Sequence, residues 1–369
     1  MVDNVLFLLV SIGLKFREIS KNDIDRVIPS LSKDDWLDLR KLADIQGVTA
    51  IALDGLNELI GRYGNKCLVP NIEMAWWRQF ILEWMGSMIQ IEQLNRIQLS
   101  VMDAMASRWS KEGCRVMVFK GQASGTMYPI PNHRSPGDID CYLFGDYAKG
   151  NEIALNMGAT VDEGWYKHSV INYKGETFEN HQFLICTRGG RRKKRLEKEL
   201  ESYLSRTTHF ESLTPFVLCP PDQWLAMFLT YHSCAHFLSE GLRLKQLLDW
   251  AQFLKKKQEQ INWNEFYEFC EKYHFRTFVD AATAICVNKL GLRILEPSIT
   301  TSSPYEEMIL NSMLYDNDYV HSSGESAWKN RWHLVQNLFR YRWKYKYIYH
   351  ESVWLQFYRY ALGFLFHTE

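Results

Sequence analysis

The feature that most constrains this sequence is a short alternating segment, residues 138–144, placed between two long stretches with helical periodicity. In it, Asp138 and Asp140 alternate with apolar residues, as in a strand that buries one face. An apolar run at residues 116–119 precedes this segment and predicts a second buried strand. Strand signals this close together predict a small α/β unit rather than an all-helical chain.

The residues around this segment extend the same pattern. Residues 147–157 favour a helix, and residues 161–185 have strand character with a turn at Gly175. The chain before and after this region carries apolar residues at helical spacing. We therefore predict an α+β fold. A small α/β core with a mixed sheet, residues 114–215, is flanked by an N-terminal helical region, residues 1–113, and a C-terminal helical domain, residues 216–369.

Composition excludes several classes of protein. The 369 residues include 43 basic and 43 acidic side chains, so bulk nucleic-acid binding, which needs a basic excess, is disfavoured. The eight cysteines form no CxxC pair, which favours reduced thiols and a cytoplasmic protein. The apolar N-terminal stretch is shorter than the roughly 20 residues that a membrane span needs, and it predicts a buried helix.

Two acidic residues two positions apart on a strand indicate a metal site. Their side chains point to the same side, with Cα atoms about 6.5–7 Å apart. Asp138 and Asp140 would repel each other unless a cation lay between them. Mg²⁺, or Mn²⁺ in its place, suits such oxygen ligands and leaves positions for water and substrate phosphates. Glu179, in a later strand-like run, is the best candidate for a third acid, as a metal ligand or as the base.

The residues before this acidic strand favour phosphate binding. A strand followed by Gly121 and a helix start exposes backbone N–H groups that suit a phosphate. Lys120 would add a positive charge, and Ser124 would add a hydroxyl group. Arg134, just before the acidic strand, would reach the same phosphates. Lys167 and His168 precede another strand and are weaker candidates for contact with a nucleotide.

These motifs together resemble a group of bacterial uncharacterised nucleotidyltransferases, which belong to the DNA polymerase beta-like nucleotidyltransferase superfamily. The resemblance runs through Lys120-Gly121, Tyr128-Pro129, Arg134 and Asp138-Ile139-Asp140. It implies a metal-dependent enzyme that moves a nucleoside monophosphate, with AMP expected, from a nucleoside triphosphate to an acceptor hydroxyl and releases pyrophosphate. The acceptor, a small molecule or a protein, and the oligomeric state are left open. This chain has Gly121-Gln122 where the superfamily usually has Gly-Gly or Gly-Ser.

The resemblance also covers residues outside the strands. His181 matches the family's acidic-x-His step, and His232, Arg243 and Asp249 match its helical segments. The resemblance implies that these four residues line the cleft or contact the acceptor. Alternatives from the residues alone are an ion pair between Arg243 and Asp249 on the helix surface, and a metal site at His232 and His236.

Two questions stay open at this level. The basic run at residues 188–195 either steers a phosphate-rich substrate or forms a solvated loop before a helix. A rival hypothesis for the whole protein is a catalytically silent nucleotidyltransferase-like fold that serves as a binding or regulatory module. The presence of both Asp138 and Asp140 speaks against this rival.

Overall fold

The fold is given by a computed structural model that describes residues 2–18, 24, 28, 30–187, 190–239, 241–316 and 327–358. A seven-stranded mixed sheet lies between two helical regions, so the α+β prediction is confirmed. None of the helices in these described residues is both long and apolar enough to span a bilayer. All eight cysteines lie in the described part and are free thiols; five are buried, whereas Cys67 and Cys186 are exposed.

The described residues of the N-terminal region include these helices, numbered in chain order: α1 (Val2–Gly13), α2 (Lys33–Ile45), α3 (Thr49–Tyr63), α4 (Asn65–Leu68) and α5 (Met74–Lys111). Ser32 and Asp35 form a capping box at the start of α2. Helices α1 and α3 approach closely at Gly55, where an added Cβ would lie 1.9 Å from the Leu9 carbonyl oxygen. The predicted N-terminal helix is present, and eight of its residues, from Val5 to Ile12, are buried in succession.

The sheet contains all the strands of the described chain: β1 (Met117–Val118), β2 (Ile139–Tyr142), β3 (Thr160–Asp162), β4 (His168–Tyr173), β5 (Glu176–His181), β6 (Ser212–Thr214) and β7 (Val217–Leu218). Their order across the sheet is β3-β4-β5-β2-β1-β7-β6. Strand β2 is parallel to β5 and antiparallel to β1, and β1 is parallel to β7. The sheet therefore continues beyond residue 215, where sequence reasoning placed the boundary of the core.

Helices connect and cover these strands: α6 (Gln122–Gly125), a 3₁₀ turn (Pro131–His133), α7 (Tyr147–Asn156), α8 (Arg191–Arg206), α9 (Asp222–Ser239), α10 (Leu244–Lys257), a 3₁₀ turn (Gln258–Gln260), α11 (Trp263–Lys272), α12 (Arg276–Asn288), α13 (Glu306–Tyr315), α14 (Ala327–Arg340) and a π-helical turn (Lys344–Ile348). The predicted helix at 147–157 and the predicted turn at Gly175 are both present.

Alternating residues of the central strands enter two different hydrophobic cores. Ile139 and Cys141 pack in one core with Met102 and Trp109 of α5. Tyr142 belongs to the other core, which includes the C-terminal helices. Side chains alternate between the two faces of a strand, so Asp140 lies on the face of Tyr142, toward the C-terminal helices. The strand pattern thus directs the acidic residues into the space between the sheet and α9.

Candidate active site

The register of the sheet brings two of the predicted acids side by side. Asp140 on β2 lies directly opposite Glu179 on β5. Neighbouring strands are about 4.8 Å apart, and paired residues project to the same face. Asp138 lies one residue before β2 begins and two before Asp140, so it extends the same row of side chains. Sequence reasoning predicted these three acids, and the fold brings them together.

Asp140 is buried and held by positive groups. Lys120 Nζ lies 2.7 Å from Asp140 Oδ1, and His181 Nε2 lies 3.1 Å from the same oxygen. Burial by itself raises the pKa of this carboxyl group, but the charge of Lys120 and the hydrogen bond from His181 outweigh it and hold the pKa well below its ordinary value. Asp140 is therefore ionised at neutral pH.

Asp138 is exposed, and its pKa is shifted in the opposite direction from that of Asp140. Partial removal from water by the surrounding protein raises its pKa, and the negative charges of Glu179 and Asp140 raise it further. Lys120 and Lys245 counteract this effect without reversing it. The acids therefore repel one another even with lysines nearby, and a multivalent cation would relieve that repulsion.

Helix α9 reaches this site through two histidines. Lys120 Nζ donates to His232 Nε2 at 2.9 Å, and His236 Nε2 lies 3.2 Å from the same nitrogen. Burial and the charge of Lys120 lower the pKa of His232 well below its ordinary value, so this imidazole is neutral and accepts the hydrogen bond. Lys120 is thus fixed between a carboxylate on β2 and a helix of the C-terminal region.

Arg134 is engaged in a buried ion pair rather than facing the acids directly. Its Nε and Nη2 each donate to one oxygen of Asp249 at 2.8 Å, and Tyr128 Oη donates to Asp249 Oδ1 at 2.8 Å. Arg243, the partner of Asp249 in the surface-pair alternative, is instead exposed at the start of α10. That alternative is wrong, because Arg134 already occupies both carboxylate oxygens.

The loop after β1 has a backbone conformation that requires its glycine. Gly121 adopts φ 59° and ψ −111°, which L-residues rarely adopt. Helix α6 then runs for only four residues. Ser124 within it is fully buried, and its Oγ has no hydrogen-bond partner among the described residues. A nucleotide contact by Ser124 would therefore require this segment to rearrange.

Two polar residues of α5 hold the loop that leads to Asp138. Asn95 Nδ2 donates to the Arg134 carbonyl at 2.9 Å, and Gln98 Nε2 donates to the Gly137 carbonyl at 2.6 Å. Gln122 links the two by donating to both side-chain oxygens at 3.0 Å. Sequence reasoning missed these positioning residues, although buried amides in a helix face are a recognisable signal once burial is known.

Lys245 was also missed. An added Cβ on Gly137 would lie 3.7 Å from Lys245 Nζ, so the ammonium group sits beside the residue that precedes Asp138. Burial and the charge of Arg134 lower the pKa of Lys245 to about 8. In the sequence, Lys245 is distinguished only by its place between Arg243 and Asp249.

The basic run has two parts. Arg188 lies outside the described residues, and α8 begins at Arg191 rather than after the run. Arg192 Nη2 lies 3.1 Å from Glu351 Oε1, and its guanidinium group packs on Tyr349. At least this member of the run connects α8 to the C-terminal segment.

The comparison with protein families agrees with this geometry. Residues 32–291 match the model of a family described as uncharacterised nucleotidyltransferases. The chain belongs to this family. No curated protein and no solved structure matches the chain. Family membership supports nucleotidyl transfer in general and a nucleoside triphosphate as substrate.

Proposed function

We propose that this protein is a metal-dependent nucleotidyltransferase that transfers a nucleoside monophosphate, with ATP as the expected donor, to a hydroxyl group of a small molecule or protein. The observation that carries the proposal is the cross-strand pairing of Asp140 with Glu179, with Asp138 two residues earlier. The three acids lie in one row at β2 and β5, in a chain whose family is described as uncharacterised nucleotidyltransferases.

The donor set fits a hard divalent cation. Carboxylate oxygens are the ligands that Mg²⁺ prefers, and the raised pKa of Asp138 reflects burial and repulsion that such an ion would offset. Asp138, Asp140 and Glu179 would hold the ion. When bound, Mg²⁺ would neutralise charge on the triphosphate and orient it.

The chain's own residues would bind and orient the substrates. Lys120 and Lys245 lie beside the acids and would attract the phosphates, while Gly121 keeps the adjacent backbone free of a side chain. The acceptor oxygen attacks the α-phosphorus, the bond from that phosphorus to the bridging oxygen breaks, and pyrophosphate leaves with the electron pair. Positioning and charge neutralisation supply most of the rate in such reactions.

The hydroxyl proton must leave as the new bond forms. Glu179 is a poor base, because the contact with His181, together with the charge of Lys167, overcomes the effect of burial and lowers its pKa. We therefore assign Glu179 to metal binding. Asp138 would also hold the ion, which removes the repulsion that raises its pKa. The proton therefore passes to solvent.

Calorimetric titration of ATP with and without Mg²⁺ tests the proposal. We expect Mg²⁺-dependent binding to weaken about tenfold or more in Asp138→Asn and Asp140→Asn. Asp146→Asn changes the acid directly before α7, outside the proposed ligand set, and is the matched control. It should bind as the wild type does. Binding that is unchanged in both site variants would instead support the silent binding module.

Incubation with ATP labelled at the α-phosphate and fractionated cell extract identifies the acceptor class. Label should enter a small-molecule or protein fraction in the wild type and in Asp146→Asn, and not in Asp140→Asn. Transfer that persists in Asp140→Asn would refute the assignment of the site.

A further inference from the structure

A pair of buried histidines on β4 and β5 forms a second group of possible metal ligands. His168 and His181 are paired across these antiparallel strands, and Glu179 lies two residues before His181 on the same face. The ligand atoms of these three residues lie within 4.8 Å of one another. This group contains two nitrogen donors, whereas the ligand set proposed above contains oxygen only.

The orientation of His181 makes its Nε2 an electron-pair donor in the neutral ring. Nδ1 lies 3.1 Å from the Phe183 carbonyl oxygen, which only accepts, so Nδ1 carries the proton. Nε2 faces Glu179 Oε2 at 3.3 Å and Asp140 Oδ1 at 3.1 Å; a proton fills this position in the hydrogen bond to Asp140, and a metal ion would displace it. Three electron-rich atoms meet at one point, which requires a proton or a metal ion between them. Metal-binding histidines commonly donate their other N–H to a backbone carbonyl in this way.

His168 offers a second, unused nitrogen. The residue is 9% exposed, and its Nδ1 has no hydrogen-bond partner among the described residues. It lies 3.5 Å from Glu179 Oε2. A buried polar atom without a hydrogen bond is unfavourable, so this nitrogen, next to the Glu179 carboxylate, points to a missing ligand.

The distances of both histidine nitrogens from Glu179 Oε2 fit a bound transition metal. Zinc lies about 2.0–2.1 Å from histidine nitrogen and about 2.0–2.2 Å from carboxylate oxygen, so adjacent ligand atoms stand roughly 3.0–3.5 Å apart. The separations of Glu179 Oε2 from His181 Nε2 and from His168 Nδ1, 3.3 and 3.5 Å, fall in this range.

We propose that His168, Glu179 and His181 bind a divalent first-row transition-metal ion of the Zn²⁺ class, beside the oxygen-liganded Mg²⁺ position. Two imidazoles and one carboxylate form a set used by Zn²⁺ and Fe²⁺, whereas Mg²⁺ prefers oxygen ligands. Lys167 Nζ, 3.9 Å from Glu179 Oε2, leaves the carboxylate when the ion binds. Glu179 is shared with the proposed catalytic acids, but the ion binds whether or not the protein transfers nucleotides.

Cobalt is a suitable probe, since its visible absorption reports the ligand type. We expect the full-length protein without nucleotide to bind one Co²⁺ with ligand-field bands and no thiolate charge-transfer band. His168→Asn and His168→Gln should weaken binding about tenfold or more. His209→Asn, an exposed histidine in the segment before β6 and outside the ligand set, should bind as the wild type does. Equal affinity in the His168 variants, or a thiolate band, would overturn the proposal.

Two further measurements keep the test decisive. X-ray absorption of the zinc-loaded wild type requires no variant and should show two imidazole ligands; one or none would overturn the assignment. Asp138→Asn should retain Co²⁺ while it loses Mg²⁺-dependent ATP binding. The two proposals can therefore fail separately, because Asp138 belongs only to the Mg²⁺ ligand set.

Discussion

Two clusters of charged side chains lie close together in this protein, and their charges are compensated to different extents. Arg134, Asp249 and Tyr128 form a network in which both carboxylate oxygens accept short, well-directed hydrogen bonds. In the other cluster, partial removal from water and the charges of Glu179 and Asp140 raise the pKa of Asp138 although lysines lie nearby. The first arrangement is typical of a structural connection, and the second of a site that awaits a positively charged ligand.

Breaking the satisfied network should have the largest effect on stability. Arg134→Met leaves the buried Asp249 carboxylate without its bidentate partner, so we expect a loss of about 3–5 kcal/mol in the free energy of unfolding. Urea denaturation measures it. The double variant Arg134→Met with Asp249→Leu should lose less, because no unpaired charge remains. Equal losses in the two would contradict a role for the pair itself.

Removing an acid from the other cluster should affect activity instead. Asp138→Asn relieves repulsion, so we expect an unchanged melting temperature and a fall in transfer rate of about 10²-fold or more, since a metal ligand is lost. Initial rates of pyrophosphate release measure this, with Asp146→Asn as the control. A clear drop in melting temperature would instead show that Asp138 stabilises the fold, as the Arg134–Asp249 pair does.

An alanine should be strained at Gly121, beside the acids, and not at Gly86, in helix α5. Gly121→Ala forces an L-residue into φ 59° and ψ −111°, for an expected destabilisation of about 1–3 kcal/mol. Gly86→Ala, in the middle of α5 with nothing within 4 Å of the added Cβ, should stabilise the protein by about 0.5–1 kcal/mol. Unfolding curves for both variants give the comparison. Destabilisation by Gly86→Ala would show that open space around the Cβ is not sufficient for alanine to stabilise the helix.

A third cluster, formed by His133, Asp54 and Glu92, is electrostatically favourable when His133 is protonated. His133 contacts Asp54 and Glu92 at 2.7 and 2.9 Å. Burial lowers its pKa, but the hydrogen bonds and charges of these acids outweigh burial and raise it. Its stabilisation is therefore complete below the unfolded pKa of about 6.5 and is lost as pH rises through the folded pKa.

Urea unfolding at about pH 6 and about pH 8 measures this smaller effect. The wild type should lose stability between these values through His133, and His133→Gln should show less of that loss. His209→Gln, a histidine in the segment before β6, is the control and should keep the wild-type slope. Identical slopes for all three proteins would mean that His133 does not titrate differently on folding.

The sequence predicted the acids better than their surroundings. Alternation in residues 138–144 determines which side chains share a face, and this property is local. The parallel register that places Glu179 beside Asp140 is not local: the strand-like run around Glu179 made it the candidate for a third acid, but did not predict this register. The pairing of Arg134 with Asp249 joins residues 115 positions apart in the chain. No spacing rule predicts such a contact, because it depends on how α10 packs against the loop before β2.

Short strands and single polar residues also limited what could be predicted from the sequence. Strand β7 has two residues, Val217 and Leu218, too few for an alternating pattern to emerge. The amides of Asn95 and Gln98 look like ordinary surface residues of a long helix until the loop that they hold is known. The roles assigned to the catalytic, nucleotide-binding and cleft residues remain predictions, whereas the fold class is confirmed.

The position of β7 has a consequence for how the protein is made. Strand β1, which leads directly into Lys120, gains its outer neighbour only from Met117 opposite Leu218. During translation, the nascent sheet therefore carries an uncovered edge until about a hundred further residues have left the ribosome. A chain stopped before residue 217 would keep that edge open and be prone to aggregate, so any shortened form for expression must retain β6 and β7.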